Sequence, residues 1–90
     1  MDNEIYTLWI KSECPFCIKA QEELFSRKKF HTLYIMDDKP EELNEVKKLW
    51  NQNTVPLITV QNGDVEVFIG GYTDLVEWFE NQDSKESEND

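Results

Sequence analysis

The segment that decides the fold lies near the N-terminus and reads Ile5-Tyr6-Thr7-Leu8-Trp9-Ile10-Lys11-Ser12-Glu13-Cys14-Pro15-Phe16-Cys17. Its first half is apolar or β-branched with little alternation, which predicts a buried parallel strand over Glu4–Ile10. Pro15 suits the first position of a helix, where its missing N–H is not needed. We therefore predict a helix from Pro15 to about Arg27, with the two cysteines of the chain at the junction between strand and helix.

Alternating blocks of strand and helix pattern follow this junction. The predicted elements are a strand over His31–Met36, a helix over Pro40–Asn51, strands over Leu57–Val60 and Val65–Ile69, and a helix from Tyr72 to about Gln82. Asn62-Gly63 between the last two strands predicts a type I′ hairpin turn. The order β-α-β-α-β-β-α favours one mixed four-stranded sheet between helices, with the first two strands parallel.

The residues predicted to face the core follow helical spacing. They are Ile18, Leu24 and Phe25 in the first helix, Leu43, Val46, Leu49 and Trp50 in the second, and Leu75, Val76, Trp78 and Phe79 in the third.

Length and charge limit the possible functions. Ninety residues allow a single small domain, which we place at residues 1–81. The net charge of −10 argues against nucleic-acid binding, which needs a basic surface. Residues 82–90 contain four acids, one Lys and no apolar side chain, which predicts an acidic disordered tail.

Targeting signals are not evident in the sequence. No apolar run approaches the ~18 residues of a membrane span, and the first residues lack the basic and apolar regions of a signal peptide. We therefore expect a cytoplasmic protein without membrane association. In a reducing compartment a cysteine pair is more often catalytic or metal-binding than a structural disulfide.

The position of the cysteines suggests disulfide exchange. A thiol attacks as its thiolate, and free N–H groups at a helix N-terminus stabilise the anion, with Lys11 adding positive charge near Cys14. Cys17 lies in the first turn and should be better buried. We predict that Cys14 is the nucleophile and Cys17 the resolving thiol. A pair of ordinary buried thiols and a zinc site are the alternatives, although zinc needs four ligands and His31 is the one histidine.

Three motifs in order resemble those of a dithiol glutaredoxin: Cys14-Pro15-Phe16-Cys17, Thr54-Val55-Pro56 and Gly70-Gly71-Tyr72-Thr73-Asp74. The likeness extends from about Ile5 to Glu80. It implies a thioredoxin-like α/β fold with a four-stranded mixed sheet flanked by three helices. It also implies a glutathione-dependent thiol–disulfide oxidoreductase that reduces protein disulfides and protein–glutathione mixed disulfides, with glutathione as co-substrate and no metal.

The resemblance also implies a set of glutathione-binding residues: Lys11, Phe16, Gln52, Thr54, Val55, Pro56, Gly71, Thr73 and Asp74. In the family the bond before the proline is cis, so the Val55–Pro56 bond should be cis and the Val55 backbone should pair with an extended peptide. Thr73 and Asp74 match the positions that hold the γ-glutamyl end, and Lys11 and Gln52 those near the glycyl carboxylate.

The chain departs from the family pattern at three positions. Asn53 stands where many members have a basic residue, which would weaken glutathione binding. Phe16 replaces the more common Tyr and so lacks its hydroxyl. Tyr72 stands where many relatives have a small residue, and we expect it to rim the cleft and restrict bulky substrates.

Three alternative functions are compatible with parts of the sequence. A thioredoxin-like protein reduced by a flavoprotein reductase would share the fold, but the Trp-Cys-Gly-Pro-Cys centre of thioredoxins is missing. A glutathione-ligated iron–sulfur cluster carrier usually has Cys-Gly-Phe-Ser or lacks Pro15. A non-enzymatic binding module would not need two intact cysteines. Ribonucleotide reductase is a common client of the family, but nothing here selects it, and we expect a monomer.

Overall fold

The chain folds into seven elements in the predicted order. A computed structural model describes residues 4–88, with side chains described as far as Gln82. The elements are β1 (Glu4–Ile10), α1 (Pro15–Ser26), β2 (Phe30–Ile35), α2 (Pro40–Trp50), β3 (Leu57–Asn62), β4 (Val65–Gly70) and α3 (Tyr72–Glu88). Each boundary before α3 lies within two residues of its prediction.

The strands form one mixed sheet with the order β2-β1-β3-β4. β1 and β2 are parallel, as the intervening helix requires, and β3 is antiparallel to both β1 and β4. The arrangement confirms the predicted four-stranded mixed sheet flanked by three helices. Since β1 and β3 are central, the loop after β1 and the loop before β3 lie near each other at one end of the sheet.

The two faces of the sheet bury different core clusters. Tyr6, Leu8 and Ile10 alternate along β1 and pack with residues of α1 and α3. On the other face, Leu57 packs with Leu43 of α2 in a smaller cluster. Burial of these apolar side chains is the main contribution to the stability of a domain of this size.

Three of the predicted core positions are wrong. α1 buries Cys17, Ala20 and Leu24, whereas Ile18 and Phe25 are 48% and 78% exposed. A helix advances about 100° per residue, and Ile18 and Phe25 each follow a residue of the buried stripe, Cys17 and Leu24. Their side chains therefore point away from the core. Leu49 is also exposed, because Leu43 and Val46 define the inner face of α2.

The hairpin turn differs from the predicted type I′. Asn62 pairs with Val65, so the two central residues of the turn are Gly63 and Asp64 rather than Asn62 and Gly63. Only Gly63 of these two has a positive φ, 66°, whereas a type I′ turn needs positive φ at both. A single positive φ at the first central position is the pattern of a type II′ turn.

The last helix is longer than predicted. It continues to Glu88 instead of ending near Gln82, and no Gly or Pro stands between these positions to end it. The side chains from Asp83 onwards, and the whole of residues 89–90, lie outside the described residues. The predicted disorder of the acidic tail over 82–90 therefore stays a prediction.

Candidate active site

Cys14 is the residue that joins β1 to α1. Its extended backbone (φ −105°, ψ 112°) makes it the N-cap of α1, and its Sγ accepts the N–H of Cys17 at 3.2 Å. The same Sγ lies 3.9 Å from the carbonyl oxygen of Val55. Because the first N–H groups of a helix have no partner within it, the sulfur lies where a negative charge is stabilised. Cys14 is half-buried and therefore accessible.

Cys17 has the opposite environment. Its side chain is completely buried in the core beneath α1, and its thiol is free. Burial raises the pKa of Cys17 to about 12, and its hydrogen bond with Cys14 contributes in the same direction. Cys17 therefore holds its proton at neutral pH, while Cys14 accepts a hydrogen bond. The two thiols form an asymmetric pair.

A carboxylate fixes the loop that leads to Cys14. The backbone N–H of Ser12 donates to Oδ1 of Asp37 at 3.0 Å, and the Ser12 hydroxyl donates to Oδ2. These two bonds hold the pKa of Asp37 below its ordinary value. Sequence analysis missed this contact. The signal was available, because Ser12 and Asp37 each follow one of two parallel neighbouring strands, whose carboxyl ends meet at one edge.

The segment Thr54-Val55-Pro56 enters β3 beside the cysteines. The Val55–Pro56 bond is cis, as the family resemblance implied. The Gln52 side-chain amide donates to the carbonyl oxygen of Pro56 at 3.1 Å and to that of Thr54 at 3.4 Å. Gln52 thus supports the backbone of this segment, a structural role that the sequence did not predict.

The start of α3 forms the opposite wall. Gly70 has a φ of 125°, which lets the chain leave β4 and begin the helix at Tyr72. The carboxylate of Asp74 accepts the N–H of Gly71 at 2.9 Å, and the first helical bond runs from the N–H of Leu75 to the carbonyl of Gly71. Backbone N–H groups that precede this bond have no partner within the helix and can receive an anion.

These elements enclose a cleft of about 400 Å³. It is lined by Phe16, Thr54, Val55, Pro56, Gly71, Tyr72, Thr73 and Asp74. The cleft therefore brings together all the predicted glutathione-binding residues except Lys11 and Gln52. Lys11 lies exposed on the loop before Cys14, and the Gln52 amide donates to the Pro56 carbonyl. Larger depressions flank β2, away from the cysteines.

An aromatic pair forms the rim of the cleft. The rings of Phe16 and Tyr72 lie 6.2 Å apart, so Tyr72 takes the place that its position in the sequence suggested. The ammonium group of Lys19 lies 5.5 Å from the Phe16 ring centroid and 5.9 Å from that of Tyr72. Sequence analysis did not single out Lys19, although it follows Phe16 by three residues and so shares its face of α1.

The sequence matches the glutaredoxin family model over residues 4–65, a segment that includes both cysteines and Thr54-Val55-Pro56. The chain belongs to the glutaredoxin family. A comparison with curated proteins finds no significant match.

Three solved structures have similar folds. A dithiolic glutaredoxin from Trypanosoma brucei brucei, 2-C-Grx1, is 26% identical, with a TM-score of 0.68 over 86% of this chain and 78% of that one. Glutaredoxin 1 from Francisella tularensis, complexed with cacodylate, is 20% identical, with a TM-score of 0.66 over 97% and 99%. Glutaredoxin from Brucella melitensis is 22% identical, with a TM-score of 0.65 over 91% and 84%. The last two, below 25% identity, show the fold alone.

Family and geometry together define the general chemistry. The protein is a thiol–disulfide oxidoreductase of thioredoxin-like fold, and the pair Cys14–Cys17 is of the dithiol type. In residues 4–82 no group of three or more His, Cys, Asp or Glu side chains is arranged to hold a metal ion. The helices of the described part include none that is long and apolar enough to cross a membrane.

Proposed function

We propose that this glutaredoxin uses glutathione to reduce protein disulfides and protein–glutathione mixed disulfides, with Cys14 as nucleophile and Cys17 as resolving thiol. One observation carries the proposal: the Sγ of Cys14 lies 3.9 Å from the carbonyl oxygen of Val55, and Val55 lines a peptide-sized cleft that extends to the N-terminus of α3. A short extended thiol with a carboxylate at its far end would fit this cleft, because the N-terminus of α3 favours an anion. Glutathione has this chemistry.

The cleft offers complementary groups along its length. The Val55 backbone at its centre can pair with the extended peptide in the manner of an added strand. The N–H groups of Thr73 and Asp74 at the start of α3 would receive the γ-glutamyl carboxylate, and the Asp74 carboxylate, which lines the cleft, would attract the α-amino group beside it. Lys11, exposed on the loop before Cys14, would supply the cation that the glycyl carboxylate needs.

The reaction with a protein disulfide proceeds in two exchanges. The Cys14 thiolate attacks one sulfur of the disulfide, forming a Cys14–client bond and releasing the other client sulfur as a thiolate that takes up a proton. Cys17 then loses its proton and attacks the Cys14 sulfur, which releases the second client thiol and leaves a Cys14–Cys17 disulfide. The two electrons that reduced the client came from the two protein thiols.

Glutathione returns the enzyme to its reduced form. One glutathione thiolate attacks the Cys14 sulfur, which frees Cys17 as a thiol and leaves glutathione bonded to Cys14. A second glutathione attacks the bound glutathione sulfur, forming glutathione disulfide and releasing the Cys14 thiolate. A protein–glutathione mixed disulfide needs Cys14 alone, because its attack places glutathione directly on the enzyme.

The proposal extends to the compartment and the clients. A cytoplasmic protein would meet the glutathione that reduces it and clients with accessible disulfides, ribonucleotide reductase being one candidate. Cell fractionation, followed by trapping with Cys17→Ser, would test both points, since that variant retains the client as a mixed disulfide on Cys14.

The decisive experiment compares Cys14→Ser with Cys17→Ser in an assay with glutathione and glutathione reductase. Cys14→Ser should abolish all turnover. Cys17→Ser should still reduce a small glutathione mixed disulfide but should lose reduction of protein disulfides. Equal loss in both variants would contradict the assigned roles, and wild-type reduction by thioredoxin reductase but not by glutathione would contradict the choice of reductant.

A further inference from the structure

Asp37 takes no part in the chemistry proposed above, yet it is bonded to the loop that leads to the cysteine pair. It follows β2 and is exposed, and its carboxylate accepts two hydrogen bonds from Ser12, one from the backbone N–H at 3.0 Å and one from the hydroxyl. These bonds hold the pKa of Asp37 below its ordinary value, and the charge of Lys11 acts in the same direction. Asp37 is therefore ionised at neutral pH, and both bonds are charge-assisted.

The loop is held on both sides of Lys11. On one side the backbone N–H of Met36 donates to the carbonyl oxygen of Ile10 at 2.8 Å, which continues the pairing of β1 with β2. On the other side Ser12 is bonded to Asp37. Ile10 and Met36 are buried, whereas Asp37 is exposed. The bonds to Asp37 are therefore the part of this support that a surface substitution can remove.

The backbone of Lys11 contacts the sulfur of Cys17. Burial raises the pKa of Cys17 to about 12 and the hydrogen bond with Cys14 adds to this effect, whereas a hydrogen bond from the backbone of Lys11 lowers the pKa. The contact with Lys11 thus favours the thiolate of Cys17. Because a thiol attacks as its thiolate, the Lys11 N–H acts on the step in which Cys17 must lose its proton.

Cys14 does not depend on the loop in the same way. Its Sγ accepts the N–H of Cys17, which belongs to the first turn of α1. The hydrogen-bond donor for the first thiol therefore comes from the helix, whereas that for the second comes from the loop that Asp37 holds. A disturbance of this loop should affect Cys17 more than Cys14.

We propose that Asp37 is a positioning residue for the resolving step, because its bonds to Ser12 hold the Lys11 N–H against the sulfur of Cys17. The proposal rests on the roles proposed for the two cysteines and adds a residue that acts on one of them. In this step Cys17 gives its proton to solvent and attacks the Cys14 sulfur of the mixed disulfide. The Cys14–Cys17 bond forms, the bond to the client breaks, and the client sulfur leaves as a thiolate that takes up a proton.

A chromogenic aromatic disulfide, dithiobis(nitrobenzoate), separates the two exchanges when it is mixed in equal amount with the reduced protein. Attack by Cys14 releases one coloured nitrothiobenzoate and leaves the other bonded to Cys14. Attack by Cys17 on the Cys14 sulfur then releases the second nitrothiobenzoate and forms the protein disulfide. Stopped-flow absorbance therefore gives one rate for each cysteine, and glutathione takes no part in the measurement.

Asp37→Ala should leave the first release unchanged and slow the second about threefold at neutral pH. Loss of one hydrogen bond lowers the thiolate population about tenfold, and the greater nucleophilicity of a less acidic thiol recovers part of this loss. Ser12→Ala should have a smaller effect, because the N–H bond to Asp37 stays. Asp37→Asn keeps an acceptor for that N–H and should release the second nitrothiobenzoate faster than Asp37→Ala.

Asp38→Ala is the matched control. Asp38 is the next residue, is also exposed and carries the same charge, and within residues 4–82 its side chain makes no hydrogen bond or ion pair. Its substitution should therefore change neither release. The circular dichroism of every variant should be that of the wild type.

Three results would overturn the proposal. They are a second release in Asp37→Ala as fast as in the wild type, equal slowing of both releases, and a second release in Asp37→Asn or Asp38→Ala as slow as in Asp37→Ala, which would indicate charge instead of position. Cys17→Ser separates this proposal from the proposed function, since it should release one equivalent. A second equivalent there would contradict the role of Cys17 itself, whereas one equivalent together with wild-type kinetics in Asp37→Ala would contradict the role of Asp37 alone.

Discussion

The most structure-dependent prediction concerns Gly70, at the sharp bend between β4 and α3. Its φ of 125° is a conformation that residues with a Cβ rarely adopt. A Cβ added there would lie 2.7 Å from Cγ and 2.9 Å from Cβ of Asp74, closer than real contacts allow. Gly70→Ala should therefore strain the backbone and push the Asp74 carboxylate away from the Gly71 N–H.

The expected decrease in the free energy of unfolding is the sum of two contributions. Backbone strain of this kind costs about 1–3 kcal/mol. Loss of the hydrogen bond at the start of α3 adds about 1 kcal/mol. Gly70→Ala should thus lower the free energy of unfolding by about 2–4 kcal/mol, measured by urea denaturation of the reduced protein. The affinity for glutathione should fall as well, because Asp74 and the N-terminus of α3 form one wall of the cleft.

The neighbouring glycine provides a matched control. A Cβ on Gly71 would lie 3.8 Å from the carbonyl oxygen of Pro56, an ordinary contact, and its φ is not in the positive range. Gly71→Ala should lower the free energy of unfolding by less than about 1 kcal/mol. Adding Asp74→Ala to Gly70→Ala should recover little of the lost stability, because the two Cβ atoms would still lie 2.9 Å apart and the backbone strain at position 70 stays. Equal destabilisation by the two single substitutions would refute the reasoning.

Three further predictions concern the site. Because Cys17 ionises near pH 9.0 when unfolded but near 12 when buried, the folded state holds more protons above pH 9.0. The free energy of unfolding of the reduced protein should therefore fall by at most about 1 kcal/mol over the first pH unit above 9.0. Urea denaturation at each pH measures this decrease, which should be absent in Cys17→Ser. Gln52→Ala should lower the free energy of unfolding by about 1–2 kcal/mol, because the Pro56 carbonyl loses its hydrogen-bond donor. Unchanged stability with a higher KM for glutathione would instead show that Gln52 binds the ligand. Tyr72→Ala should raise the ratio of kcat/KM for glutathionylated proteins to kcat/KM for a small mixed disulfide severalfold, because it removes one side of the cleft rim. An unchanged ratio would show that Tyr72 does not restrict access.

The sequence predicted most of the fold because its local signals are strong. The apolar run of β1, Pro15 at the start of α1 and the apolar runs on both sides of the hairpin each favour one type of element. The errors have local causes too. Ile18 and Phe25 are apolar, but each lies one residue, about 100° around the helix, from the buried stripe and is therefore exposed. The turn type depended on whether Asn62 belongs to the strand or to the loop.

The candidate site was predicted largely from motifs. The cis bond at Pro56 agrees with what the resemblance to glutaredoxins implied. Tyr72, where the chain departs from the family pattern, lines the cleft as predicted. Contacts between distant segments could not be predicted in this way. The bonds from Ser12 to Asp37 join residues that are 25 positions apart, and only the parallel pairing of β1 with β2 brings the two loops to the same edge of the sheet.

The sequence by itself determined the element order, the redox pair and the family, because strand and helix propensities and the spacing of Cys14 and Cys17 are properties of neighbouring residues. The sequence also predicted that Cys17 is the better buried thiol, but only the tertiary structure decided how strongly the environments of the two thiols differ. Burial of Cys17 raises its pKa, while Cys14 stays accessible at a helix N-terminus beside Val55. Desolvation and the approach of Val55, 41 residues from Cys14, exist only once the sheet and helices have packed.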